Sequence, residues 1–188
     1  MARENRFQLF ETNAGFAAMA WSGAGVSAVR LPAPTADEAG RAIARRLPDA
    51  RRAEPPPEVR EVIGRATRYF AGERIDFADV PVDLGEQSAF FDRVYAEVRK
   101  LGWGETSTYG AIARILDVGP EYARDVGQAM AGNPVPLIIP CHRVTAAGGK
   151  IGGFSAPGGS MSKARMLELE GVRLGPVPPV SPQQGFDF

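Results

Sequence analysis

The stretch Asn133-Pro-Val-Pro-Leu-Ile-Ile-Pro-Cys-His-Arg-Val144 constrains this chain more than any other. Its prolines fix φ and remove backbone donors, while the aliphatic residues between them seek a core. Such a run forms a stiff, buried segment, and it delivers the only cysteine, Cys141, beside the only histidine, His142. Spacing alone leaves two readings of Cys141. A lone free cysteine behaves as a small buried hydrophobe. A thiol at the end of a rigid strand beside an imidazole is an activated nucleophile. Neighbours in an extended strand point to opposite faces. For His142 to assist Cys141, the backbone must therefore bend after Pro140, or a water must bridge the two side chains.

What else the chain can be is bounded by its content. With 188 residues, 44% hydrophobic and 23% charged, it can bury a sizeable core in one domain or two small ones. No apolar run reaches membrane-span length, and the N-terminus leads into no signal-peptide apolar region. A single cysteine excludes an intramolecular disulfide, and one Cys with one His cannot close a zinc shell. The expectation is a cytosolic protein with no metal and no cofactor. Net charge is zero. Between Tyr109 and Lys163, Arg114, Arg124, Arg143, Lys150 and Lys163 outnumber Asp117, Glu121 and Asp125 only slightly. Few phosphate contacts and modest non-specific affinity for nucleic acid follow.

Before the key stretch, two patterns succeed one another. Phe7–Glu11, Gly15–Trp21 and Gly25–Leu31 are short β-leaning runs separated by turn residues, and they predict a three-stranded antiparallel meander. Thr35 with Glu38 three residues on predicts a capped helix to about Leu47. Arg51–Pro57 is a connection, a second helix spans about Glu58–Ala71, and Val80–Leu84 returns as a strand. The reading is an α/β N-terminal domain over residues 1–85 with a small antiparallel sheet, whose Trp21, Tyr69 and Phe70 are core residues and in which nothing looks catalytic.

Short helices dominate from Ser88 onward. Phe90, Phe91, Val94, Tyr95 and Val98 share one face of a helix over Ser88–Leu101. Ser107 or Thr108 caps a helix from Tyr109 to Leu116, with Ile112, Ile115 and Leu116 inward. After the Asp117-Val-Gly119 break, Pro120 opens a helix to about Met130 with Val126, Ala129 and Met130 inside and Arg124 outside. Two short helices across a glycine-containing turn fit a helix-turn-helix. The C-terminal domain is thus expected over 86–175, mostly helical and winged-helix-like, with a tail over 176–188.

Pro140-Cys-His-Arg-Val144, preceded by Asn133-Pro134, resembles the active-site signature of the O6-alkylguanine-DNA alkyltransferases (methylated-DNA–protein-cysteine methyltransferases). Gly104-Glu-Thr-Ser-Thr-Tyr-Gly110 and Ala123-Arg-Asp-Val-Gly127 resemble that family's DNA-binding segments, and Gly153-Phe-Ser155, Lys163 and Leu169-Glu-Gly171 follow in the expected order. The similarity runs from about Ser88 to Val172.

The resemblance implies direct-reversal DNA repair. A monomer takes an alkyl group from O6-alkylguanine in double-stranded DNA and holds it irreversibly on Cys141; the sequence leaves open whether O4-alkylthymine is also a substrate. The base must first be swung out of the helix, at a cost of roughly a few kcal/mol. By resemblance Tyr109 crowds the neighbouring phosphate, Arg124 fills the vacated stack, and Gly127 and Arg143 belong to the DNA-binding set. His142 takes the thiol proton through a water and Glu170 orients the imidazole. Asn133 braces the turn before the cysteine. Tyr109 and Ser155 donate hydrogen bonds to the leaving base, backbone carbonyls near Cys141 and Val144 read its amino edge, and Phe154 and Lys163 complete the pocket.

Three positions depart from the family pattern. Phe154 stands where a tyrosine is usual, Ala156-Pro-Gly-Gly159 is longer than the usual glycine pair, and Asp125 replaces a small residue next to Arg124. Two rival functions are a lesion sensor of the alkyltransferase-like kind, which lacks the cysteine, and a Cys-His-Glu thiol hydrolase, which needs an oxyanion hole.

Overall fold

The computed structural model describes residues 4–156 and 158–174. The expected 176–188 tail lies outside the described residues. Strands β1 (Arg6–Thr12), β2 (Gly15–Ser22) and β3 (Gly25–Ala33) form the predicted antiparallel meander. Helix α1 (Ala36–Arg46) follows, with Thr35 as N-cap accepting the Glu38 amide at 3.2 Å.

One strand escaped the sequence pattern. Arg51–Arg52 forms β4, pairing parallel to β1, so the sheet is mixed, in the order β3-β2-β1-β4, rather than purely antiparallel. Two charged residues carry no alternation to announce an edge strand. Conversely, the strand expected over Val80–Leu84 shrinks to one parallel bridge, Val26 to Val82, held by Val26 N–H to Pro81 O and Asp83 N–H to Val26 O.

The period of two along β2 and β3 divides the sheet's faces. Ala18, Ala20 and Ala28 face Ile43 of α1, and their small side chains let that helix lie close. Met19, Trp21, Val29 and Leu31 face the main core, which also contains Tyr69 and Phe70 of α2 (Pro57–Phe70) and the buried stripes of the later helices. Each aliphatic or aromatic side chain buried there contributes about 1.5–3 kcal/mol.

Helix α3 (Ala89–Val98) is capped by Ser88. A two-residue strand β5 (Ser107–Thr108) leads into α4 (Tyr109–Ile115), capped by Thr108. Asp117, at φ +56°, turns the chain. Pro120 then starts a single 3-10 turn, Pro120–Tyr122, and α5 (Ala123–Gly132) begins later than the proline suggested. Ile115 is 59% exposed instead of facing inward. In so short a helix Ile112, Ala113 and the C-cap Leu116 reach the core, and Ile115 is carried round to the outside. Strand β6 (Val144–Thr145) pairs parallel with β5, and α6 (Ser160–Leu169) closes the described chain. Among the described residues no helix is long and apolar enough to cross a membrane.

Candidate active site

Residues 133–140 are buried throughout, as the proline-aliphatic pattern requires, but they form a compact turn rather than a strand. Leu137 sits at φ +79°, a conformation that costs a residue with a Cβ and persists only under constraint. The constraint is visible. Asn133 Nδ2 donates to Ile139 O at 2.8 Å while its Oδ1 accepts from Val135 N–H at 3.0 Å, and Ile139 N–H closes on Val135 O at 3.0 Å. Val29 N–H of β3 donates to Pro134 O at 2.9 Å, tying the sheet to this turn. After Pro140 the backbone bends into a 3-10 turn, Cys141–Arg143, so Cys141 and His142 do not project from opposite faces of a strand.

Behind the thiol lies a closed polar network. Glu170, at the C-cap of α6, is 4% exposed. Its Oε1 lies 2.7 Å from His142 Nε2 and accepts from Tyr69 O–H at 2.7 Å and Arg143 Nη2 at 3.0 Å. Its Oε2 accepts from Arg143 Nε at 2.9 Å and from Gly104 N–H at 3.2 Å. Burial alone pushes a carboxyl pKa up. Here the hydrogen bonds from His142, Arg143 and Tyr69 outweigh it and hold Glu170 well below the usual carboxylate range. Burial and the Glu170 charge push Tyr69 upward, so it stays a protonated donor.

Burial also lowers the pKa of His142, despite Glu170 pulling the other way. A neutral imidazole facing a carboxylate keeps its proton on Nε2, which leaves Nδ1 as an acceptor. Nδ1 is buried and, among the described residues, has no hydrogen-bond partner. Burial raises the Cys141 thiol, opposed by the Asn133 hydrogen bond, the Lys163 charge and the local backbone amides. The resting side chain is a thiol, and a base is needed to make it a thiolate.

In front of the thiol the molecule opens. A cleft of about 470 Å³ is lined by Cys141, Tyr109, Arg124, Gly127, Phe154 and Ser155, among others. Arg124 and Ser155 are exposed. At Gly127 an added Cβ would meet nothing within 4 Å, so the fold itself does not demand the glycine. Ser155 O–H donates to Ala131 O at 3.0 Å. Tyr109 packs against Gly152, which has φ +76°, and a Cβ there would come within 2.8 Å of the phenol oxygen.

Lys163 is 1% exposed, its Nζ 2.6 Å from Val144 O and 3.4 Å from Tyr109 O–H, above the Tyr109 and Phe154 rings. Burial lowers its pKa to about 8, against the pull of Cys141. Asp125 lies in the first turn of α5, where a negative charge suits the helix dipole.

Cys141, His142, Glu170 and Asn133 are thus assembled at one place, and Tyr109, Arg124, Gly127, Phe154 and Ser155 surround the mouth. Two expectations change. Arg143 is no DNA-facing cation: it is 7% exposed, both its fork nitrogens are committed to Glu170, and Nη1 donates to Leu101 O at 2.6 Å. Val144 is fully buried, absent from the described lining of the cleft, and its carbonyl already accepts from Lys163. Two partners were missed altogether, the Tyr69 hydroxyl and the Gly104 amide. No local signal marks either, because each meets Glu170 only through tertiary folding.

The family model of the 6-O-methylguanine DNA methyltransferase DNA binding domain matches residues 89–172. The methylated-DNA–protein-cysteine methyltransferase of Metallosphaera sedula is 50% identical over 103 residues, 55% of this chain and 62% of that protein, so the match spans less than two thirds of the relative. A DNA base-flipping protein of Thermus thermophilus is 42% identical over 104 residues, 55% of this chain and 67% of that protein. The crystal structure of the Mycobacterium tuberculosis O6-methylguanine methyltransferase superposes with a TM-score of 0.70 at 31% identity, covering 88% of this chain and 92% of that one. A Mycobacterium tuberculosis OGT structure in complex with DNA is similar to the same degree.

Proposed function

This chain belongs to the O6-methylguanine DNA methyltransferase family, and from that premise we propose that it repairs duplex DNA by moving the alkyl group of an O6-alkylguanine onto Cys141. The observation that carries the reading is the position of Cys141 between two unlike surroundings. An open cleft large enough for a base lies on one side, and a buried base with its carboxylate lies on the other.

A base stacked in a duplex cannot reach a thiol that is 4% exposed, so the nucleotide must swing out first. Tyr109, at the start of α4, presses on the neighbouring phosphate. Arg124, exposed on α5, fills the gap with a planar cation that stacks and donates. Gly127 keeps that helix face bare so the DNA backbone can approach. We assign these steps to residues 86–175, with residues 1–85 as the scaffold that carries Tyr69 and braces the Cys141 turn.

Behind the cleft, His142 Nδ1 takes the Cys141 proton through a water. Glu170 and Tyr69 hold the ring in the tautomer that leaves Nδ1 free and stabilise the imidazolium as it forms. The thiolate attacks the alkyl carbon in line with the C–O6 bond. Guanine leaves with that bond's electrons and takes up a proton, helped by the hydroxyls of Tyr109 and Ser155. Lys163 anchors the Val144 and Gly153 carbonyls beneath the pocket lip and favours negative charge on sulfur. The thioether formed does not hydrolyse, so each molecule reacts once.

Incubation with a duplex carrying O6-methylguanine, read by intact mass, tests this. One methyl group should appear on Cys141 and guanine should be restored. Cys141→Ala should retain the damaged duplex without a mass change. Unchanged mass of the wild-type protein with the lesion still held would instead indicate a base-flipping protein that does no transfer.

A further inference from the structure

Cys141 borders a second cleft, which adjoins the Arg124 cleft along Met130, Phe154 and Ser155 but is not lined by Arg124. It measures about 510 Å³ and is shared between the sheet domain and the active-site turn. Pro136 and Phe154 line it from the C-terminal half. Arg30 of β3 and Arg45 and Arg46 of α1 line it from the N-terminal half. The hydrogen bond from Val29 N–H to Pro134 O fixes this wall, because it ties the residue before Arg30 to the turn that carries Cys141.

The three arginines are uncompensated. Among the described residues none forms an ion pair, and Arg30 Nε is buried without a hydrogen-bond partner. Burial, then the charges of Arg46 and Arg45, lower Arg30 to about 10. A half-buried cation crowded by two others, with a donor left idle, is a strained arrangement that an anion relieves.

The reaction geometry says which anion can get there. During in-line transfer the reacting carbon sits between Sγ and O6, and anything else attached to that carbon must project sideways past the sulfur. The flipped base fills the Arg124 cleft, so the remaining space bordering Cys141 is the arginine-lined one. We propose that this cleft is the subsite for the distal part of the transferred group and that it selects alkyl adducts ending in a carboxylate, carboxymethyl being the smallest. The inference rests on the alkyl-transfer reading of Cys141. The chemistry is unchanged: the S–C bond forms as C–O6 breaks, guanine leaves with the electron pair and is protonated, and S-carboxymethylcysteine remains with its carboxylate facing Arg30.

Single-turnover rates on duplexes that differ only in the lesion test this: O6-carboxymethylguanine, its neutral analogue O6-carbamoylmethylguanine, and O6-methylguanine. Arg30→Gln should lower the carboxymethyl-to-carbamoylmethyl rate ratio about tenfold, the size expected for losing a charged hydrogen bond. An unchanged ratio overturns the subsite, and so does an equal slowing of all three lesions, which would mark Arg30 as a phosphate contact. Should Arg30→Gln not fold, the wild-type ratio is measured at low and high salt. A preference made by arginines falls with salt, and a ratio that does not move overturns the proposal. If the wild-type protein alkylates Cys141 from none of the three, the repair reading itself fails; transfer with an unresponsive ratio removes only the subsite.

Discussion

The two sides of Cys141 are built to opposite rules. Behind it, the side chains of the Glu170 network, Tyr69, His142, Arg143 and Glu170, are all buried and hydrogen-bonded to one another. In front, Arg124 and Ser155 stand in solvent, and the lip is a glycine-rich loop. Removing one partner from a buried charged network strands the others, whereas removing an exposed charge strands nothing. The back should therefore govern whether the site exists, and the front what it accepts.

The sharpest break in that comparison is Glu170→Gln. It leaves Arg143 buried without a counter-charge and turns one of the two acceptor oxygens into a donor that faces other donors. We expect a loss of about 3–5 kcal/mol in chemical denaturation, together with loss of methyl transfer. Arg124→Ala, on the other side, should change stability by less than about 0.5 kcal/mol. Equal costs for the two variants would dissolve the distinction.

Protons probe the back without a mutation. His142 and Glu170 both have folded pKa values below their ordinary 6.5 and 4.5. As pH falls, the unfolded chain takes up these protons first, so each contribution is complete above the ordinary value and is lost toward the lower folded one. The contributions of these two groups should hold above pH 6.5 and decline below it, first through His142 and then more steeply through Glu170, by up to about 1.4 kcal/mol per pH unit per group. Melting temperature against pH reads this. A protein more stable at pH 5 than at pH 7 would contradict the arrangement.

How legible this was in the sequence also divides along the two sides. The proline-aliphatic run announced burial, the bend that frees Cys141 from strand geometry follows from Pro140, and the caps at Thr35 and Thr108 were plain in local spacing. Arg124 could be placed outside because α5 is amphipathic. Arg143 was misread because a cation in a DNA-binding half looks like a phosphate contact until its carboxylate partner is known. Tyr69 was read rightly as core but incompletely, for the reverse reason. It lies on the apolar stripe of α2, so its ring belongs to the core, as expected, but its hydroxyl meets a residue a hundred positions away. Arg30, the one charged residue of its strand, carried no signal until α1 packed beside it.

Tyr69→Phe tests the unforeseen hydroxyl directly. The ring and its packing survive, and one hydrogen bond to Glu170 is lost. A stability loss of about 1–2 kcal/mol is expected, with a slower transfer rate at saturating DNA. If stability falls and the rate does not, Tyr69 supports the fold and leaves the imidazole alone.

The smallest effect should come from Ser155→Ala at the front. In the free protein this hydroxyl donates to Ala131 O at 3.0 Å and lies in solvent, so water replaces the lost bond at little cost. Stability should change by less than about 0.5 kcal/mol. To serve a leaving base the hydroxyl must turn from Ala131 toward the cleft, giving up one acceptor for another, so its net contribution to transfer is the difference between two hydrogen bonds. A slowing of only a few-fold is expected, about 1 kcal/mol or less, read as single-turnover transfer from O6-methylguanine. A much larger loss of rate with stability untouched would mean that the front supplies chemistry as well as selection, and the division between the two sides would have to be redrawn at Ser155.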